Sequence, residues 1–220
     1  MPNWCNNTVQ INHKDPAKVY ALVEAINEGK FCNFVIPVPE DLQIVAGRVG
    51  DETNPEQIEL ERKTAENIEK YGAGNWYDFC VSRWGTKWDV DPYEKIEYDD
   101  QHDKNGITFG FDSAWSPPMG IYEELVEQGY EVVAYYYEPG MCFVGKFDNG
   151  CDECYDCGGQ TSATIRDAIG DELDDMFGIS ESMAEYEEEE KDDVQVWYED
   201  GVESKGLEPV SYTHLTLPTI

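Results

Sequence analysis

Asn75-Trp-Tyr-Asp-Phe-Cys-Val-Ser-Arg-Trp-Gly-Thr-Lys-Trp88 carries three tryptophans in thirteen residues, Trp76 to Trp88. Trp76, Phe79, Cys80 and Arg83 recur at i, i+3, i+4 and i+7, the spacing of one face of a short helix. Gly85 then ends that helix, because glycine takes a left-handed cap at little cost. Indoles from separated segments, Trp4, Trp76, Trp84, Trp88 and Trp115, are expected to meet as a structural aromatic core. Arg83 and Lys87 flank them and can stack on the rings or pair with Asp89 and Asp91.

Working outward, Val9 and Ile11 alternate with Thr8, Gln10 and Asn12, which predicts a strand within Met1–His13. Asp15 followed by Pro16 is a helix start, and Val19, Leu22, Val23 and Ile26 form its apolar stripe up to Gly29. Pro37 and Pro39 restrict Phe34–Ile36 to an edge strand or an extended wrap. Residues 55–71 read as a charged helix with a solvated face. Tyr93–Asp99 and Ile107–Phe111 are expected to pair as a hairpin through the Asn105-Gly106 turn. A helix striped by Ile121, Leu125 and Val126 follows, then strands over 131–137 and 142–147. The order β-α-(helical insert, about 43–88)-β-β-α-β is the α+β, ferredoxin-like split βαβ plan: an antiparallel sheet with helices on one face. The name describes topology and implies no iron–sulfur cluster.

Beyond Phe147 the composition changes. Residues 149–160 read as a Cys/Gly loop and Thr161–Phe177 as an amphipathic helix, with Ile165, Ile169, Leu173 and Phe177 four apart. Glu181–Asp193 is an acidic run expected to be solvated or disordered, and Val194–Tyr198 a short strand or docking peptide. Residues 161–209 thus make an acidic helical extension of the domain at 1–148. The tail at 210–220 resembles a sequencing adapter translated in frame and is set aside from fold reasoning.

The net charge is −32, from 47 acids against 15 bases. That disfavours direct nucleic-acid binding and adhesion to anionic membranes, and it favours a protein partner with a basic surface. The absence of a signal-like N-terminus or a long apolar segment leads to an expectation of cytoplasmic location, where the seven cysteines stay reduced. Cys5, Cys32 and Cys80 read as small core residues.

Cys151-Asp-Glu-Cys154-Tyr-Asp-Cys157 is the sharpest chemical signal. Thiolates two residues apart across a turn converge on a soft ion, and Cys142 is placed to return as a fourth ligand. Zinc is the expected metal, ahead of an iron–sulfur cluster. The competing reading is a metal-free turn, since Asp152, Glu153 and Asp156 oppose thiolate formation. Asp103, Asn105 and Gly106 echo a calcium loop, but its twelfth-position Glu is missing. His13, His102 and His214 lack a nucleophile at a recognisable spacing, and no phosphate-cradling loop exists.

Four segments carry a family likeness: Met1-Pro-Asn-Trp-Cys-Asn6, Trp84-Gly-Thr-Lys-Trp88, Ala114-Trp-Ser-Pro-Pro118, and Tyr137-Glu-Pro-Gly140 with Phe143-Val-Gly145. Together they resemble the YubB-type ferredoxin-like-fold proteins of phages, prophages and plasmids, over Met1–Phe147. The resemblance implies the fold, a mobile-element origin and life in a bacterial cytoplasm, and it implies no reaction. The expected function is a non-enzymatic accessory protein that binds another protein. The alternatives are a small zinc-binding regulator through the cysteines, and an acidic nucleic-acid mimic that blocks a host DNA-binding protein.

Overall fold

The structure, a computed structural model, describes residues 3–98 and 105–199, with side chains described as far as 189. Strand β1 (Trp4–Asn12) lies between β2 (Gly106–Ala114) and β3 (Glu131–Glu138), antiparallel to both. β2 and β3 therefore run in the same direction, and helix α5 (Met119–Glu127) joins them across β1. This is the split βαβ unit. β4 (Phe143–Asp148) and β5 (Cys151–Asp156) complete the sheet order β2-β1-β3-β4-β5. The fold is α+β and ferredoxin-like.

Register follows from alternation. Val9 lies opposite Phe109 and Ala134, and Ile11 opposite Ile107 and Val132. All six are buried, together with Val19, Leu22, Val23 and Ile26 of α1 (Pro16–Asn27) and Ile121, Tyr122 and Leu125 of α5. Each such side chain contributes about 1.5–3 kcal/mol when taken fully from water. Asp15 caps α1, its carboxylate accepting the Ala17 amide at 3.0 Å, with Pro16 at the first helical position.

Between α1 and β2 the chain forms α2 (Phe31–Val35), α3 (Pro55–Tyr71) and α4 (Trp76–Arg83). Asn54 and Asn75 cap α3 and α4 through their side-chain oxygens. The stems of the α3 insert are tied by Asn67, whose Nδ2 donates to Asp41 O at 2.9 Å and Gly74 O at 3.2 Å.

Met1–Glu138 with Gly145–Glu153 forms one compact unit, and Pro139–Val144 with Cys154–Ile220 a second. In the second, α6 (Ile165–Ile169), α7 (Asp171–Phe177) and α8 (Ile179–Glu199) bury Ile165, Ile169, Leu173 and Ile179. Asp174 accepts from the Ser180 amide at 2.7 Å, which caps the start of α8, and it also accepts from Arg166 at 3.1 Å.

Five expectations are corrected. Residues 93–98 form no strand; only Pro92 bridges β2, at Phe111. The Phe34–Ile36 segment is not an edge strand, because Phe31–Val35 is a helix. The cysteine loop is strand β5, turned from β4 by Asn149 and Gly150 at positive φ. The single helix over 161–177 breaks at Gly170, φ +85°, although its apolar spacing is as read. The acidic run and residues 194–198 lie within helix α8. The calcium reading at 99–106 falls largely on residues 99–104, outside the described residues, as do His102, His214 and the adapter-like 210–220.

Candidate functional site

Three of the segments that carried the family likeness, with Tyr137 of the fourth, come together at one end of the sheet. β1 enters there with Trp4 opposite Ala114, and β3 leaves with Tyr137 opposite Asn6. Thr86 locks to β2 as a strand would: its Oγ1 donates to Ala114 O, and the Ala114 amide donates back to it, both at 3.1 Å. Ser116 Oγ donates to Gly85 O. The Gly120 amide donates to Trp84 O at 3.1 Å. A Cβ on Gly120 would come within 2.0 Å of the Arg83 carbonyl oxygen, so only glycine allows α4 and α5 to approach this closely.

Beneath this clamp runs a buried polar chain. Asn7 Nδ2 donates to Ser113 Oγ and to Cys5 O, both at 2.8 Å. Tyr122 OH donates to Asn7 Oδ1 at 3.0 Å, and Ser113 Oγ donates onward to Ser116 O at 2.8 Å. A buried amide left without these partners would cost about 1–3 kcal/mol, so the chain fixes the backbone on either side of Trp115. Cys5 lies beside it; burial raises its thiol pKa well above the ordinary value, and Glu138 adds to the rise. Burial likewise raises Cys32, and it pushes Cys80 up to about 12. These three are inert core thiols rather than nucleophiles.

The indoles divide. Trp84 is buried at 4% exposure, with Nε1 donating to Ile36 O at 2.8 Å, and Trp76 packs half-buried against the core. Trp4, Trp88 and Trp115 are 49%, 40% and 47% exposed, which corrects the expectation of one five-indole core. The sequence held a signal for Trp4: the alternation that turns Cys5, Val9 and Ile11 inward turns residue 4 to the opposite face. Trp4 and Trp88 lie with ring centroids 6.3 Å apart, and Lys87 Nζ sits 4.2 Å from the Trp88 ring centroid. The Trp115 amide donates to Asn3 O at 2.9 Å, which holds its backbone beside the start of β1.

Trp115 has φ +72°, a left-handed angle that a bulky residue rarely adopts. Such an angle persists where the surroundings over-determine it, and it is one mark of a functional position. Here the surroundings are the Thr86–Ala114 bonds on one side and the Ser116–Gly85 bond on the other. Exposed carboxylates of Asp91 and Asp112 lie on the segments that form this rim.

Cys142, Cys151, Cys154 and Cys157 are not assembled as a ligand set. Cys151 and Cys154 are exposed on β5, where residues three apart point to opposite faces, so the turn needed for convergence is missing. Among the described residues no group of three or more His, Cys, Asp or Glu is placed to hold a metal ion. Cys157 is buried, and burial, followed by Cys142, Asp156 and Cys154, pushes its thiol up to about 11. His13 sits below the other end of the sheet; its Nδ1 accepts the Asp15 amide at 2.9 Å and its ring packs on Tyr130.

The family described as "Ferredoxin-like domain in Api92-like protein" matches residues 94–196. The match takes in β5 and most of α8, which the likeness over Met1–Phe147 had left outside. The crystal structure of protein api92 from Yersinia pseudotuberculosis is 14% identical, covers 73% of this chain and 100% of its own, and has a TM-score of 0.36. No curated protein matches the chain. Among the described residues no helix is long and apolar enough to cross a membrane. Over residues 94–196 the chain is thus similar to the ferredoxin-like domain of Api92-like proteins.

Proposed function

We infer that this protein is a non-catalytic accessory factor of a mobile genetic element, and that it works by binding a basic segment of another protein. The observation that carries this reading is the rim of three exposed indoles, Trp4, Trp88 and Trp115, held out by a buried polar clamp. Indole faces attract guanidinium and ammonium groups, and arginine in particular stacks on them. The net charge of −32 steers a cationic partner and repels nucleic acid. The family match over residues 94–196 and the phage and plasmid likeness of the sequence motifs support the setting.

The test titrates an arginine-rich peptide into the ¹⁵N-labelled full chain and follows the indole N–H signals. The Trp4, Trp88 and Trp115 signals should shift, while that of Trp84 stays in place. A glutamate-rich peptide should leave all of them unmoved. Trp88→Ala with Trp115→Ala should weaken binding at least tenfold with the thermal midpoint retained. Shifts confined to the acidic residues 165–189, or no shift at any indole, would overturn the assignment of the rim.

A further inference from the structure

Cys142 and Cys157 lie side by side where β4 and β5 run out. The Cys157 amide donates to Cys142 O at 2.6 Å, which sets the two backbones side by side. A backbone amide-to-carbonyl bond keeps the Cα atoms of its two residues about 5–6 Å apart. That is inside the roughly 4.4–6.8 Å span a disulfide needs. Both residues belong to the second compact unit.

The two sulfurs differ in access. Cys157 is buried, whereas Cys142 is half-buried, its Sγ donating to Pro139 O at 3.4 Å. Cys142 also holds φ +58° at the end of the four-residue turn 139–142, an angle that costs a non-glycine residue conformational energy. Glycine would suit this angle better than cysteine does. Cys151 and Cys154 lie on opposite faces of β5 and cannot bridge each other without breaking the strand.

We propose that Cys142 and Cys157 form a reversible thiol–disulfide site that ties the ends of β4 and β5 together. The oxidant is a small-molecule disulfide such as oxidised glutathione. Cys142, the more accessible sulfur, gives its proton to solvent and attacks one sulfur of that disulfide. The disulfide bond breaks, and one glutathione leaves and takes up a proton. Cys157 then loses its proton and attacks the Cys142 sulfur of the mixed disulfide, releasing the second glutathione. Two protein thiols are oxidised by two electrons, and one disulfide is reduced to two thiols. The new bond closes a ring over residues 142–157, and a reducing dithiol opens it.

The experiment incubates the reduced full chain with excess oxidised glutathione, alkylates the remaining thiols and maps the peptides without reduction. Of the 7 cysteines, two should be protected, linked as Cys142–Cys157, with the intact mass lower by two hydrogens. Backbone amides of 154–157 should exchange more slowly in the oxidised form. Cys142→Ser or Cys157→Ser should each abolish the link, and Cys151→Ser or Cys154→Ser should leave it. A bridge through Cys151 or Cys154, a stable glutathione adduct on Cys142, a disulfide-linked dimer, or seven free thiols would each overturn the proposal. The wild-type peptide map decides the matter even where a serine variant fails to fold.

Discussion

Asn149 and Gly150 turn β4 into β5 with φ +48° and +98°, the pair of positive angles a tight hairpin turn requires. Asn149 also accepts the Val132 amide at 2.8 Å, so one residue both turns the hairpin and binds the adjacent strand. Asn149→Ala should lower stability by about 1–2 kcal/mol, since alanine tolerates the left-handed angle poorly and leaves the amide without its acceptor. Urea unfolding measures this, and an unchanged midpoint would refute it. Asn149-Gly150 carries the turn signal that was read at Asn105-Gly106, where residues 93–98 form no strand, and the following Cys-Asp-Glu-Cys-Tyr-Asp segment concealed it. That segment lacks the β-branched residues that mark strands, and its cysteines invite a metal reading. At Trp4, Trp88 and Trp115 the obscuring factor was size. A large apolar ring reads as core, whereas strand alternation at Trp4 and the positive φ at Trp115 place these residues at a surface.

At the scale of elements, α2 depends on a residue far along the chain. The Asp89 carboxylate accepts the Cys32 amide at 2.7 Å and the Asn33 amide at 2.9 Å, which caps a helix whose own flank offers no side chain. Nothing local in Phe31–Val35 announces a helix, and the two following prolines point instead to an edge strand or an extended wrap. α1, α3, α4 and α5 carry their own caps or stripes and were legible for that reason. Burial raises the Asp89 pKa above its ordinary 3.8 and outweighs the amides that donate to it. The folded chain therefore keeps this proton to a higher pH than the unfolded chain does. Across that window the folded state binds more protons, and Asp89 makes stability fall as pH rises. Asp89→Asn removes this dependence. The stability of the variant relative to wild type should increase as pH climbs from the ordinary aspartate value through the raised one. Urea titrations at several pH values check this, and a difference that is flat with pH would contradict it.

For the molecule as a whole, the charge of −32 acts on two processes with opposite sign. Self-repulsion among carboxylates weakens the compact state, and salt screens it over a Debye length of about 10 Å at 0.1 M. Raising salt from low to moderate strength should relieve roughly 1 kcal/mol, a rise in thermal midpoint of about 2–4 °C for a chain of this size. The same salt should weaken capture of an arginine-rich peptide, because attraction between opposite charges is screened too. Calorimetry and peptide titration in matched buffers give both signs, and a fall in midpoint with salt would count against the charge argument. The ferredoxin-like plan was legible because β1, α1, α5 and β3 each show their period clearly. The stretch between α1 and β2 was harder, since α2 and α4 join the common core through Phe31, Cys32, Val35 and Cys80 while the chain between them, through α3, forms an excursion. That excursion leaves and rejoins through Asp41 and Gly74, both stapled by the single amide of Asn67. Beyond the staple the Val49 amide donates to Gln57 Oε1 of α3 at 3.0 Å, so residues 43–54 are held to the insert itself. An engineer grafting a foreign loop between residues 43 and 54 should be able to lengthen or exchange that segment as a cassette and leave the exposed indoles untouched.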